Sequence, residues 1–150
     1  MDLYVKAFHQ LSAEELYEIC RLRVAVFVVE QQCAYQEVDE WDKIALHVFF
    51  RDAEGIQAYL RLLPPGTRFR EASLGRVLAV TRRAGLGTRI VREGIRAAKE
   101  QFGPVPLRLE AQVYVRRMYE KLGFQTVSEE YLEDGIPHIQ MLLVPGEDSI

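Results

Sequence analysis

A short glycine-bearing turn between a strand-like run and a helix-like pattern limits what this chain can fold into more than any other feature. The run Arg76-Val77-Leu78-Ala79-Val80 is followed by Arg82-Arg83-Ala84-Gly85-Leu86-Gly87-Thr88, and apolar residues then recur at helical spacing from Leu86. Glycine lets a backbone approach an anion closely. The first N–H groups of a helix have no intrahelical acceptor, and the macrodipole adds about half a positive charge there. The turn is therefore a candidate phosphate cradle, with Arg82 and Arg83 as charge-assisted donors.

Two common phosphate loops are excluded by residue identity. A Walker loop needs a glycine followed by Lys and then Ser or Thr, and no glycine here precedes Lys. A dinucleotide fingerprint needs a small residue three places after the second glycine, where this chain has Ile90. What remains is Arg-x-x-Gly-x-Gly on Arg82, Gly85 and Gly87, which resembles the acyl-CoA pyrophosphate loop of the GNAT acetyltransferase superfamily. About thirty residues on, the string Tyr119-Glu120-Lys121-Leu122-Gly123-Phe124 resembles the superfamily's late helix, in the expected order and spacing. The segments Arg23 to Tyr35 and Glu133 to Ile139 resemble the ElaA-type branch. The likeness runs from about residue 3 to residue 144 and implies a single acyltransferase domain over residues 1–150. The implied fold is α/β: a mixed central sheet of six or seven strands flanked by about four helices.

Composition agrees independently. A chain of 150 residues with 49% hydrophobic and 27% charged residues is globular in type and can bury roughly two-thirds of its unfolded surface. No apolar run approaches the ~20 residues that span a bilayer, and the N-terminus does not read as a secretion signal, so a cytoplasmic protein without a membrane span is expected. Cys20 and Cys33 form no Cys-x-x-Cys pair and are expected as thiols. A net charge of −3 argues against general nucleic-acid binding. Residues 30–42 carry five acids and no base, which suits a cationic substrate or a solvated face. No metal site is expected, and a free sheet edge would allow a homodimer.

Pattern places the elements. Leu3 to Phe8 alternates as a strand, and Ser12-x-x-Glu15 is a capping box opening a helix that carries Leu16, Ile19, Cys20, Arg23, Val24 and Phe27. Residues 31–43 form a long polar loop, a candidate substrate rim. Ala45 to Arg51 and Ile56 to Leu63 form a hairpin; Leu74 to Val80, the helix Gly85 to Phe102 and Val105 to Glu110 form a parallel crossover. A helix over 112–122 and strands near Phe124 to Ser128 and Ile136 to Val144 complete the chain, and Gly146 to Ile150 is a tail.

The resemblance implies attack by a primary amine on the thioester of acetyl-CoA. Backbone from Arg83 to Thr88, Ala84 and Leu86 included, would hold the phosphates with Arg82 and Arg83. Leu78, Ala79 and Val80 would pair with the pantetheine arm and thioester, one N–H serving as oxyanion donor. The link from Gly75-Arg76 to the glycine turn is about two residues shorter than the branch leads one to expect, which leaves that register open. Tyr119 matches the family's tyrosine beside the CoA sulfur, and a phenol stays protonated near neutral pH; the alternative is core packing with Val115 and Leu122. Gln112 matches the family and would orient the acyl arm or start the helix. For the base, Glu30, Glu110 and His138 are candidates, with His47 reading as a core histidine. Histidine suits the task because its unperturbed pKa is about 6.5, and burial raises a glutamate toward that range. A silent acyl-CoA sensor is the alternative to an enzyme, and a protein that binds no cofactor is a third reading.

Overall fold

Local chemistry starts and stops the elements as the sequence requires. The computed structural model describes residues 1–81 and 85–146. Strand β1 (Asp2–Ala7) leads to helix α1 (Ala13–Val24), opened by the anticipated box: Glu15 N–H donates to Ser12 Oγ at 3.0 Å and Ser12 N–H to Glu15 Oε1 at 2.8 Å. The helix continues as a wide π turn over Ala25–Glu30. Strands β2 (Leu46–Asp52) and β3 (Gly55–Leu63) form the expected hairpin, tightened by Asp52 Oδ1 accepting Glu54 N–H at 2.8 Å, with Gly55 at φ +121°.

Strand β4 (Ala72–Ala79), helix α2 (Leu86–Phe102) and strand β5 (Leu107–Gln112) form the parallel crossover. A single turn at Val113–Val115 precedes α3 (Arg116–Lys121), followed by β6 (Gln125–Thr126), β7 (Tyr131–Glu133) and β8 (Ile136–Leu143). The strand order is β1-β2-β3-β4-β5-β8-β6, with β7 also on β8, and only β4–β5 is parallel. Among the described residues the sheet has eight strands, one more than the seven expected segments, because β7, of three residues, is too short to leave an alternation signal. Three α-helices flank it among the described residues.

Alternation on β2 and β3 feeds two cores. Val48, Phe50, Ala58, Leu60 and Leu62 pack with Ile90 and Val91 of α2, whereas Phe49 and Tyr59 pack with Ile19 of α1 on the other face. Helix α2 sits so close that a Cβ on Gly94 would lie 2.7 Å from Leu60 Cδ2.

Two irregularities of β4 open the sheet. Register shifts against β3 between Tyr59 and Arg61, so Arg76 and Val77 together oppose one residue, and Arg76 is left-handed at φ +53°. Leu74 and Leu78, an even number apart, consequently join opposite cores. The β4–β5 pairing ends at Ser73–Arg108 although β4 runs on to Ala79 and β5 to Gln112. Arg108 clamps the closed end of this fork on Glu71, Nε to Oε1 at 3.0 Å and Nη2 to Oε2 at 3.1 Å.

Candidate functional site

The fork between β4 and β5 is the floor of a cleft of about 650 Å³, walled by the end of α1, the start of α2, the 112–119 segment and the β7–β8 hairpin. Leu78, Ala79, Val80, Gly85, Gly87, Thr88, Glu110, Gln112, Tyr119, Glu30 and His138 all border it, while Leu86 turns its side chain into the α2 core. His47 does not border it. Arg82, Arg83 and Ala84 lie outside the described residues.

Helix α2 presents its N-terminus to this cleft. Gly85 is left-handed at φ +68°, and the first intrahelical bond is Arg89 N–H to Gly85 O at 3.1 Å. The N–H groups of Leu86, Gly87 and Thr88 therefore have no intrahelical acceptor. Among the described residues packing does not require glycine at 87: a Cβ there would meet only Met118 Sδ, at 3.7 Å. Glycine within a helix costs about 1 kcal/mol relative to alanine, so a bare backbone at this place fits an anion resting on the helix start. An anionic group matches these donors in charge.

Backbone direction along β4 narrows the carbonyl-binding donor. Val80 N–H donates to Gln57 O at 2.9 Å on β3. Alternation then turns Leu78 toward β3 as well, and Val77 and Ala79 toward the fork. Of the three expected residues, Leu78 and Val80 use their peptide groups in the sheet and border the cleft by other atoms, whereas Ala79 faces the gap. Val77, not anticipated, faces it too.

Tyr119 is almost fully buried and meets Phe124 edge to face, ring centroids 5.8 Å apart. Its hydroxyl has no hydrogen-bond partner among the described residues, and burial, with Tyr114 adding, pushes the phenol above its ordinary value. Its ring packs in the core, and the residue also borders the cleft. Gln112 closes β5, opposite His138 on β8.

The opposite end of the cleft holds a polar cluster. Glu110 accepts from Tyr131 Oη at 2.6 Å and pairs with Arg68 Nη2 at 2.5 Å, and Glu133 lies 4.0 Å from the same Arg68 nitrogen. Burial, then the charge of Glu110, pushes the Glu133 carboxyl above its usual range. Burial, then the bond to Glu110, pushes the Tyr131 phenol up. His138 stacks on Tyr131 and its Nδ1 donates to Ile136 O at 2.7 Å, so the neutral ring keeps the Nε2 lone pair free of that bond. Both Glu110 oxygens are engaged, which leaves His138 the better-disposed proton acceptor. Glu30 ends the π turn as an exposed residue of the cleft rim.

The acid-rich loop departs from expectation. Gln31, Cys33 and Tyr35 of the loop border the cleft, but its acids do not: Glu37 and Asp42 are buried, Asp39 is partly exposed and Glu40 faces water. Arg23 grips Glu37 (Nε to Oε2, 2.9 Å) and Asp42 (Nη1 to Oδ1, 2.6 Å); Arg61 grips Asp39 (2.6 Å) and Asp42 (3.1 Å); Arg76 donates to Glu37 O at 2.9 Å. Three arginines from three elements cancel three acids. His47, fully buried, donates from Nε2 to Asp42 O (3.0 Å) and accepts from Tyr59 Oη (2.7 Å); burial holds it below its ordinary value, so it is a neutral core histidine.

Arg68, Tyr131 and Glu133 went unread as site residues. The Asp134-Gly135 pair, at φ +50° and +77°, is a hairpin signal that would have revealed β7 and put Tyr131 and Glu133 on one face. Arg68 lies in irregular chain and carried no signal. Among the described residues no metal-binding group of His, Cys, Asp and Glu occurs, and no helix is long and apolar enough to cross a membrane.

Comparison with known proteins agrees with this architecture. Residues 10–144 match the model of the acetyltransferase (GNAT) domain. A UPF0039 protein of Schizosaccharomyces pombe is 39% identical over 147 residues, covering 95% of this chain and 97% of its own. The crystal structure of an acyl-CoA N-acyltransferase from Pseudomonas aeruginosa superposes with a TM-score of 0.91 at 38% identity, over 96% of this chain and 100% of that one. The crystal structure of Escherichia coli ElaA gives 0.89 at 31%, over 95% and 99%.

Proposed function

The chain belongs to the GNAT acetyltransferase family, in its ElaA-type branch, and from that premise we propose that it transfers the acetyl group of acetyl-CoA to the primary amine of an acceptor by direct attack on the thioester. The observation that carries the reading is the fork: peptide groups of β4 face a cleft that ends at the start of α2, whose first N–H groups have no intrahelical acceptor.

In this reading the N–H groups of Leu86, Gly87 and Thr88, with Arg82, Arg83 and the backbone of Ala84 and Gly85, hold the pyrophosphate. Ala79 N–H polarises the thioester carbonyl, a contact worth roughly 3 kcal/mol in enzymes. The acceptor's ammonium lies toward Glu110 and Glu133, whose charges exceed that of Arg68 by one. His138 Nε2 removes a proton from the ammonium, the amine nitrogen forms the new bond to the carbonyl carbon, and the carbon–sulfur bond breaks. Tyr119 gives its proton to the departing thiolate; the amide's surplus proton leaves to solvent. Gln112 orients the acyl arm. Two free thiols, Cys20 and Cys33, suit a reducing compartment such as the cytoplasm, and a single catalytic domain suffices for these steps.

Release of CoA thiol from acetyl-CoA over a panel of primary amines tests the proposal. The expected result is amine-dependent release, cut about 100-fold in Tyr119→Phe, the lower range for loss of a general acid, with acetyl-CoA affinity kept. Tight acetyl-CoA binding with no amine acetylated would instead favour a sensor module.

A further inference from the structure

The bulge of β4 is held by the acid loop, at the edge of the cleft that Arg76 and Tyr35 both border. Arg76 keeps a left-handed backbone that a non-glycine residue adopts at a cost, φ +53°, and its guanidinium is packed into the acid loop. Nη2 donates to Glu37 O at 2.9 Å and lies 3.5 Å from Asp39 Oδ2. Nε forms an ion pair with Glu37 Oε2, and the guanidinium stacks over Tyr35 at 5.5 Å. Glu37 and Asp39 are themselves fixed by Arg23 and Arg61, so the anchor is rigid.

The extra residue at this point inverts the alternation of everything after it. Leu74 faces the α2 core before the bulge, and Leu78 faces the α1 core after it. The same inversion sends Val80 N–H to Gln57 O and leaves Ala79 N–H in the fork. Without the bulge, Ala79 would point into the sheet.

We propose that Arg76 is a positioning residue: clamped by Glu37, Asp39 and Tyr35, it fixes the bulge register that turns the Ala79 N–H toward the acyl-CoA thioester. The inference rests on the acyl-CoA reading above. It also gives the acid loop a task other than substrate capture, namely to hold a catalytic strand in register.

The carbonyl stretch of bound [1-13C]acetyl-CoA, read by difference infrared spectroscopy, tests this without an acceptor. Wild type should move the thioester band to lower wavenumber than in buffer. In Arg76→Gly, where glycine permits the left-handed conformation but nothing enforces it, most of that displacement should be lost while affinity for free CoA, gripped through its phosphates, is unchanged. Arg76→Lys, which keeps the charge and can fold where the glycine variant does not, should lose a smaller part. A band displaced as in wild type in either folded variant, with only thermal stability lowered, would overturn the proposal and leave Arg76 a structural residue. Failure of wild type to bind acetyl-CoA would overturn the acyl-CoA reading and this inference with it.

Discussion

Two charged clusters lie on either side of β4, and they are built to opposite rules. On the β3 side, Arg23, Arg61 and Arg76, the last of which also borders the cleft, balance Glu37, Asp39 and Asp42 one for one, largely out of water. At the cleft, Glu110 and Glu133 share one arginine, Arg68, and Glu133 is held above its usual range. A balanced buried cluster fixes geometry. An unbalanced cluster open to a cleft leaves charge for a ligand to complete.

The largest effect should come from breaking the balanced side. Arg23→Ala leaves two buried carboxylates without their shared partner and should lower unfolding free energy by about 3–5 kcal/mol in urea titration. Next, on the cleft side, His138→Asn should cut turnover by ~100-fold or more with the urea midpoint unchanged, because its ring is only partly buried. A shifted midpoint with unchanged turnover would place His138 with the structural cluster instead.

Acid should separate the clusters in two steps. His47 is held below its ordinary value, so the unfolded chain binds more protons and stability should fall as pH drops below about 6.5. Burial pushes Asp42 up, but the bonds from Arg23 and Arg61 outweigh it and hold the carboxyl below the usual range. The stability Asp42 contributes is therefore present above about pH 4 and lost below it. Urea midpoints measured from pH 7 to pH 3 should show both, and His47→Gln should remove the first.

The smallest effect has the opposite sign. A raised Glu133 carboxyl contributes stability at low pH that is lost as pH rises through its folded value, so Glu133→Gln should stabilise the fold near neutral pH. The gain should stay under about 0.5 kcal/mol, since a side chain 41% exposed is well screened. The same variant should weaken the acceptor amine and not acetyl-CoA, which KM measurements for each substrate would separate.

What could be read from the sequence was local. The Ser12–Glu15 box, the Asp52–Gly55 turn and the strand–glycine–helix unit are each a few residues whose chemistry is complete within the segment. The acid loop misled because its partners arrive from α1, β3 and β4, tens of residues away, and a local run of acids does not disclose distant arginines. The bulge was hidden for a related reason: glycine would have marked a positive φ, but Arg76 adopts it under tertiary clamping. Tyr119, Gln112, Glu110 and His138 were legible as candidates, yet only the pairing of β7 with β8 sorted the engaged Glu110 from the freer His138.

Calorimetric titration of acetyl-CoA into wild type and Gly87→Glu tests the central claim most directly. Position 87 has helical backbone and room for a Cβ, so the variant should fold while its carboxylate occupies the phosphate place. The account predicts micromolar binding by wild type and loss of it in the variant. Equal binding by both, or none by wild type, would contradict it.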